Sequence, residues 1–243
     1  MSEPYRTALV TGGSRGIGAA ITRQLAERGV RVACTYRTGR PEAAALAAEY
    51  GDSVLPVQYD LAQPNSARDV ISTVLERWGR LDSLVLNAGV WRGGRLGTID
   101  HGDWWSVLES NVGGTARLSR EALPALQASD GGSVVLISSA VGLVGFAGDT
   151  AYAAAKSAMI GFARSLAKET GRDGIRVNVL APGFVETDMT AAVGDRARRR
   201  ITDDLILRRF GEPGEIAKAA VFLSEDATYC TGIVLTADGG WSL

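Results

Sequence analysis

Tyr152 and Lys156 stand four residues apart in the run Tyr-Ala-Ala-Ala-Lys. Alanine favours helix, and residues at i and i+4 share one helical face. An ammonium beside a phenol favours the phenolate, so it lowers a tyrosine pKa from its free value of about 10. Such a pair could donate and accept a proton near neutral pH. Alone, the same spacing more often just coats a helix. Its weight depends on what the rest of the chain places beside it.

A second group of residues points to a phosphate ligand. Thr11-Gly12-Gly13-Ser14-Arg15-Gly16-Ile17-Gly18 follows an apolar strand and opens a helix. That is the context a dinucleotide-binding glycine loop requires. Gly12 permits the tight turn. Gly16 and Gly18 let the backbone approach a pyrophosphate and let the helix pack close to the sheet. The helix N-terminus offers free N–H groups and positive potential to phosphates, which makes Ser14, Arg15 and Ile17 cofactor-binding candidates with the glycines. The alternative is a glycine-rich turn with no ligand.

The end of the second strand reads Thr35-Tyr36-Arg37. An acid there would bind the ribose hydroxyls of NAD, and none is present. An arginine binds a 2′-phosphate through two parallel hydrogen bonds. Arg37, with Arg15 as a second cation and Tyr36 beside it, therefore reads as a site for NADPH or NADP+. The alternative is a solvated loop arginine.

The composition narrows the classes. The chain has 243 residues, a formal net charge of −1 and 46% hydrophobic residues. There is material for a large core and no global positive field to recruit nucleic acid or an anionic membrane. No apolar run reaches the roughly 18 residues of a membrane span. Residues 1–6 are short and polar, without the charged-then-apolar design of a secretion signal, so a cytoplasmic location is expected. Cys34 and Cys230 form no CxxC pair, and His101 is the single histidine. A disulfide, a metal site or a histidine triad is not expected.

Strand-like apolar runs at 7–11, 31–36, 53–58, 83–87, 133–138, 176–181 and 232–236 alternate with helical patterns at 16–28, 41–50, 65–78, 103–128, 152–170 and 213–223. Strict alternation implies an α/β fold whose parallel sheet is covered on both faces. Continuous runs such as Ser133-Val134-Val135-Leu136-Ile137 fit that burial. No linker or repeat divides the chain, so one domain over 1–243 is expected. The polar stretch 186–209, with Arg196, Arg198, Arg199 and Arg200, interrupts the alternation and reads as a mobile lid. Its arginines could steer an anionic substrate or form a solvated face. Trp91 could shape the pocket, and Trp104 and Trp105 read as a core or subunit contact.

Further motifs converge on a known pattern: Asp60-Leu61, Asn87-Ala88-Gly89, Asn111, Ser139 thirteen residues before Tyr152, Pro182-Gly183-Phe184-Val185-Glu186-Thr187-Asp188-Met189, and Thr231-Gly232 followed by Asp238-Gly239-Gly240. Over essentially its whole length the chain resembles the short-chain dehydrogenase/reductase family in its short form. Within it, the nearest likeness is to 3-oxoacyl-(acyl-carrier-protein) reductases and polyketide ketoreductases. The resemblance implies a single-domain Rossmann fold with a seven-stranded parallel sheet flanked by helices on both faces, assembled as a homotetramer. It implies a catalytic set of Asn111, Ser139, Tyr152 and Lys156. Ser139 would hold the substrate carbonyl and Tyr152 would protonate the alkoxide. Lys156 would bind the nicotinamide ribose and depress the Tyr152 pKa, and Asn111 would support a water that refills the proton. On the cofactor, Asp60 and Leu61 would meet the adenine, and Asn87, Ala88 and Gly89 would line the adenosine side. Pro182, Gly183, Val185 and Thr187 would bind the carboxamide end, and Thr11 would brace the first turn. The activity implied is NADPH-dependent reduction of a ketone, most simply a 3-oxoacyl thioester or polyketide intermediate, with an acyl carrier protein as a possible partner. Two alternatives stand: the same chemistry on a free small ketone, and a non-catalytic NADP-binding regulator, whose signature would be loss of the Tyr or the Lys.

Overall fold

The computed structural model describes residues 5–129 and 131–243. The reading of the extreme N-terminus falls partly on residues 1–4, outside the described residues. Seven strands form one all-parallel sheet in the order β3-β2-β1-β4-β5-β6-β7. They are β1 Thr7–Val10, β2 Arg31–Tyr36, β3 Val54–Gln58, β4 Ser83–Leu86, β5 Ser133–Ile137, β6 Arg176–Pro182 and β7 Val234–Ala237. Leu9 pairs with Ala33 on one side and Leu84 on the other. The order reverses between β1 and β4, and the crevice at such a switch point is where doubly wound sheets bind ligands.

The strands alternate their side chains between two apolar layers. Leu9, Leu84, Leu86, Leu136 and Val177 join a core completed by α3 Ser66–Trp78, α5 Gly114–Gln127 and α7 Thr150–Thr170. Ala8, Val10, Val85, Val135 and Leu180 join the opposite core with α1 Gly16–Glu27, α2 Arg40–Tyr50 and α10 Pro213–Val221. Full burial of one such leucine or valine is worth about 1.5–3 kcal/mol, so both faces of the sheet are anchored. Pro56 sits in β3, at the sheet edge, where a missing N–H costs no central ladder bond.

Most element ends shift by one or two residues, and three stretches differ in kind from the sequence expectation. The long helix expected over 103–128 is instead α4 His101–Leu108, a π-helical turn Glu109–Gly113, and α5. Asn111 supplies a reason: its Nδ2 donates to Val107 O at 2.8 Å, so a side chain takes a carbonyl of the helical ladder. A second π-helical turn, Phe222–Asp226, follows α10. The stretch 186–209 contains α8 Asp188–Ala191 and α9 Asp195–Asp204. Beneath them Ile201, Leu205 and Phe210 form a small apolar core with Phe184, Val193 and Trp241 packed against it.

Candidate active site

Glycine conformations shape the turn after β1. Gly12 and Gly16 have φ of +61° and +54°, values that favour glycine. A Cβ on Gly18 would lie 2.1 Å from Gly12 O, so this glycine lets α1 press against the turn. Gly13 is equally confined, since its Cβ would lie 2.8 Å from Cys34 Cβ and 3.0 Å from Val10 O.

Polar bonds lock the turn to neighbouring strands. Thr11 Oγ1 accepts from the backbone N–H groups of Asn87 and Ala88, both at 2.9 Å. Asn87 Nδ2 donates back to Thr11 O at 2.9 Å and Gly12 O at 3.2 Å. Thr35 Oγ1 accepts from Gly12 N at 3.0 Å. The bracing role expected of Thr11 is thus visible in its contacts. Asn87 shares that role, and Thr35 joins it unforeseen. Position offered the missing signal, because Thr35 lies one residue before the end of β2, next to β1 and its glycine turn.

These residues floor a cleft of about 820 Å³. Gly12, Ser14, Arg15, Gly16, Ile17, Tyr36, Arg37, Asp60, Leu61, Asn87, Ala88 and Gly89 line one end, and Ser139, Tyr152, Lys156, Pro182, Gly183, Val185 and Thr187 the other. Trp91, Ser110, Ser138, Met189 and Thr190 complete the wall. Two sequence candidates do not reach it. Gly18 acts by packing, not by meeting a pyrophosphate. Asn111 is buried: its Nδ2 also donates to Val90 O at 2.8 Å, and its Oδ1 accepts from Val90 N at 3.2 Å. Its side chain clips the 89–90 turn onto the helix and does not face the cavity.

Ser139 ends β5's exit and Tyr152 lies in the first turn of α7. Ala140 N donates to Pro182 O at 2.8 Å, which joins the Ser139 and Pro182 turns. Lys156 is buried, with Nζ donating to Ile137 O at 2.8 Å and lying 5.5 Å from the Tyr152 ring centroid. Burial lowers the Lys156 pKa to about 8. The Tyr152 pKa is pushed up to about 12 by burial and the Asp149 charge, opposed by a hydrogen bond with Ser139. The expected depression of Tyr152 by Lys156 is therefore not met here. The ammonium spends a hydrogen bond on a strand carbonyl, and desolvation of the phenolate dominates. At neutral pH the phenol keeps its proton and is arranged as a donor.

The cleft's own backbone and rim bear on whether a dinucleotide fits it. The first turn of α1 has backbone N–H groups with no intrahelical partner, directed to the glycine-lined floor. Gly89 lines the cavity, and a Cβ there would meet the buried Asn111 Oδ1 at 2.6 Å and Lys156 Nζ at 3.4 Å, so only glycine fits between them. Arg37 and Arg15 stand at its rim. Arg15 lies 3.7 Å from Asp188 of α8, and both side chains are mostly exposed. The residues present fit a dinucleotide carrying an extra phosphate.

The arginines of the stretch 186–209 divide. Arg198 pairs with Glu186 and its guanidinium lies 4.2 Å from the Phe210 ring centroid. Arg196, Arg199 and Arg200 are exposed. Trp91 lines the cleft, Trp104 packs beside Val107, and Trp105 is about half exposed.

A doubly wound parallel sheet with a glycine-rich turn at its switch point and a Ser–Tyr–Lys group facing that turn defines a nucleotide-dependent oxidoreductase architecture. Comparison with known proteins gives the family. A family model described as enoyl-(acyl carrier protein) reductase matches residues 12–242. The 3-oxoacyl-(acyl-carrier-protein) reductase FabG of Escherichia coli K12 is 40% identical over 241 residues, 99% of this chain and 98% of the relative. The enzyme of the same description from Vibrio cholerae is 39% identical over the same shares. A blue fluorescent protein from a metagenomic library, solved in complex with NADPH, superposes with a TM-score of 0.93 at 38% identity, covering 98% of both chains. A Serratia marcescens short-chain dehydrogenase/reductase variant superposes with a TM-score of 0.91 at 35% identity and 98% coverage of both. The chain belongs to the short-chain dehydrogenase/reductase family.

Proposed function

We propose that this protein reduces a ketone to a secondary alcohol with NADPH, and that its substrate is a 3-oxoacyl thioester. One observation carries the reading: Ser139, Tyr152 and Lys156 converge on the cleft that the glycine turn and Arg37 open to a phosphorylated dinucleotide. The cofactor, when bound, supplies a hydride to the carbonyl carbon. Ser139 Oγ orients the carbonyl oxygen by hydrogen bonding. Tyr152 holds a proton at its Oη and releases it to the oxygen as negative charge develops. Lys156 holds positive charge beside the phenol and the ribose position. Arg15 and Arg37 hold the 2′-phosphate, and Asp60 and Leu61 the adenine. Pro182, Gly183, Val185 and Thr187 face the carboxamide end. The segment 186–209 serves as the lid over the substrate.

The similarity to acyl-carrier-protein reductases supports a carrier-bound substrate, with Arg196, Arg199 and Arg200 available to an acidic carrier. The pairing of Arg198 with Glu186 favours a second reading, a free ketone, because it removes one cation from that face. Homotetramer assembly and a cytoplasmic location belong to the same proposal. No helix among the described residues is long and apolar enough to cross a membrane. NADPH oxidation with a panel of carrier-bound, thioester and free ketones tests the reading. Turnover of the thioesters supports it, and a protein that oxidises NADPH with none of them defeats it.

A further inference from the structure

Three contacts stitch the loop after β4 and the α4 helix that follows it to residues 148–150 at the start of α7. Gly94 N donates to Gly148 O at 2.7 Å. Trp91 Nε1 donates to Asp149 Oδ1 at 3.0 Å, and Trp104 Nε1 donates to Thr150 Oγ1 at 3.1 Å. Gly93 lets the chain pass over this seam, since a Cβ there would sit 2.6 Å from Trp91 Cζ2 and 3.4 Å from Asp149 Oδ1. The seam holds the indole of Trp91 on the wall of the same cleft as Ser139 and Tyr152.

Asp149 stands at the N-cap position of α7, one helical turn before Tyr152. Its carboxylate enters no ion pair among the described residues. Of the two arginines on the loop, Arg92 pairs with Asp103 at 2.9 Å and Arg95 enters no ion pair among the described residues. The Asp149 carboxylate therefore sits at the N–H edge of the indole with no ion-pair partner, one helical turn from the phenol. Burial raises the Asp149 pKa, and the Asp149 charge in turn raises that of Tyr152, which agrees with a shared, poorly solvated environment.

We propose that Trp91 and Asp149 form the specificity wall of the site: the indole face receives the uncharged acyl side of the substrate, and the carboxylate at its N–H edge repels an anionic group next to the reacting carbonyl. The inference rests on the carbonyl-reductase reading above. A 3-oxoacyl thioester is neutral on both flanks of its ketone. A free 3-oxo acid places a carboxylate two carbons from the reacting centre, where two like charges in a partly desolvated cleft repel. Asp149 acts through the electrostatics of the wall and through the indole that it holds, so it is a positioning residue.

The test uses two small probes that differ in charge, ethyl 3-oxobutanoate and 3-oxobutanoate, with NADPH consumption as the readout. The wild type is expected to favour the ester at least about tenfold in kcat/KM, the scale of one modest charge–charge term. Asp149→Asn keeps an acceptor for Trp91 Nε1 and removes the charge. It is expected to move the acid-to-ester ratio about tenfold towards the acid, chiefly through the KM of the acid, and Asp149→Glu is expected to restore the preference. Trp91→Phe keeps a ring and the charge but loses the N–H donor. It is expected to raise KM for both probes while the ratio stays near that of the wild type. An Asp149→Asn protein that folds with the wild-type ratio overturns the proposal, as does a Trp91→Phe protein with unaltered KM values. If neither probe is turned over, the reductase reading fails separately. Calorimetric Kd values for both probes on the NADPH-loaded protein then decide the wall: ester bound about tenfold more tightly than acid supports it, and equal affinity overturns it.

Discussion

Around Thr11 nearly every polar tie runs from a side chain to backbone across two strands. Around Asp188 and Glu186 the ties run between half-exposed or exposed side chains, Arg15 to Asp188 and Arg198 to Glu186. In the proposed reading the first region would floor the cofactor site, and the second would form the edge that meets substrate. Buried side-chain-to-backbone bonds are costly to leave unmade, whereas exposed ion pairs contribute about 0–1 kcal/mol each. The floor therefore tolerates little change, while the substrate edge is free to be retuned without endangering the fold. The proposed proton donor Tyr152, on α7, and the proposed 2′-phosphate ligand Arg37, after β2, lie between these extremes.

The sharpest separation comes from Tyr152→Phe, which removes the proton donor and keeps the ring. At least about a hundredfold loss of kcat is expected, the usual scale of acid–base catalysis, with NADPH affinity retained in a fluorescence titration. Near-normal turnover would remove Tyr152 from the role of donor.

Arg37→Ala comes next. A charge-assisted contact is worth about 1.5–3 kcal/mol, roughly ten- to a hundredfold in binding. The ratio of kcat/KM for NADPH over NADH is expected to fall by that factor, while melting temperature stays close to the wild type. Loss of fold instead of preference would erase the distinction between the floor and Arg37.

Lys156 joins the two regions and gives a pH signature. Its folded pKa of about 8 lies below the ordinary lysine value of 10.5. Between these values the unfolded chain holds a proton that the folded chain has released, so stability rises with pH through that window. Below about pH 8 the cost of burying the ammonium is fully present. Lys156→Met removes the titration. The Tm of the variant minus that of the wild type, both without cofactor, is expected to be flat below about pH 8 and to decline towards pH 10.5. A difference that does not change across this window means that Lys156 is solvated in solution.

The smallest effects belong to the lid. Arg199→Glu with Arg200→Glu is expected to raise KM for a carrier-bound 3-oxoacyl substrate a few-fold at low salt, and the effect should fade as exposed charges are screened over about 8–10 Å. A small neutral ketone should show no change. Equal behaviour of both substrates assigns these arginines to a solvated face.

Sequence reasoning reached the sheet and the cleft because they rest on local signals. Apolar runs and glycines at fixed offsets report strand burial and φ > 0, and Gly12 and Gly16 adopt such conformations. Tyr152 and Lys156 follow from one helical face, whereas Ser139 is marked only by the family resemblance. What stayed hidden depends on contacts between distant segments. Asn111 is a polar residue in a helical pattern, and its bonds to Val107 O in the helix and to Val90 on a distant segment appear only in the folded chain. The Trp91–Asp149 bond joins residues 58 apart. The Lys156 environment is decided by one carbonyl on β5. Gly13 receives no role from the sequence pattern, yet its place is dictated by Cys34 on the next strand.

That last contact turns Cys34 into a clock for the glycine turn. The thiol is fully covered, and burial pushes its pKa up to about 11, so at neutral pH it offers almost no thiolate to a reagent. The lid over it is the same backbone that would hold the dinucleotide phosphates. Each labelling event at Cys34, with the partly exposed Cys230 replaced by serine, therefore records one lifting of the turn. A phosphate ligand that seats on the turn stops the clock without touching the sulfur, so an assay of cofactor residence is already written into the second strand.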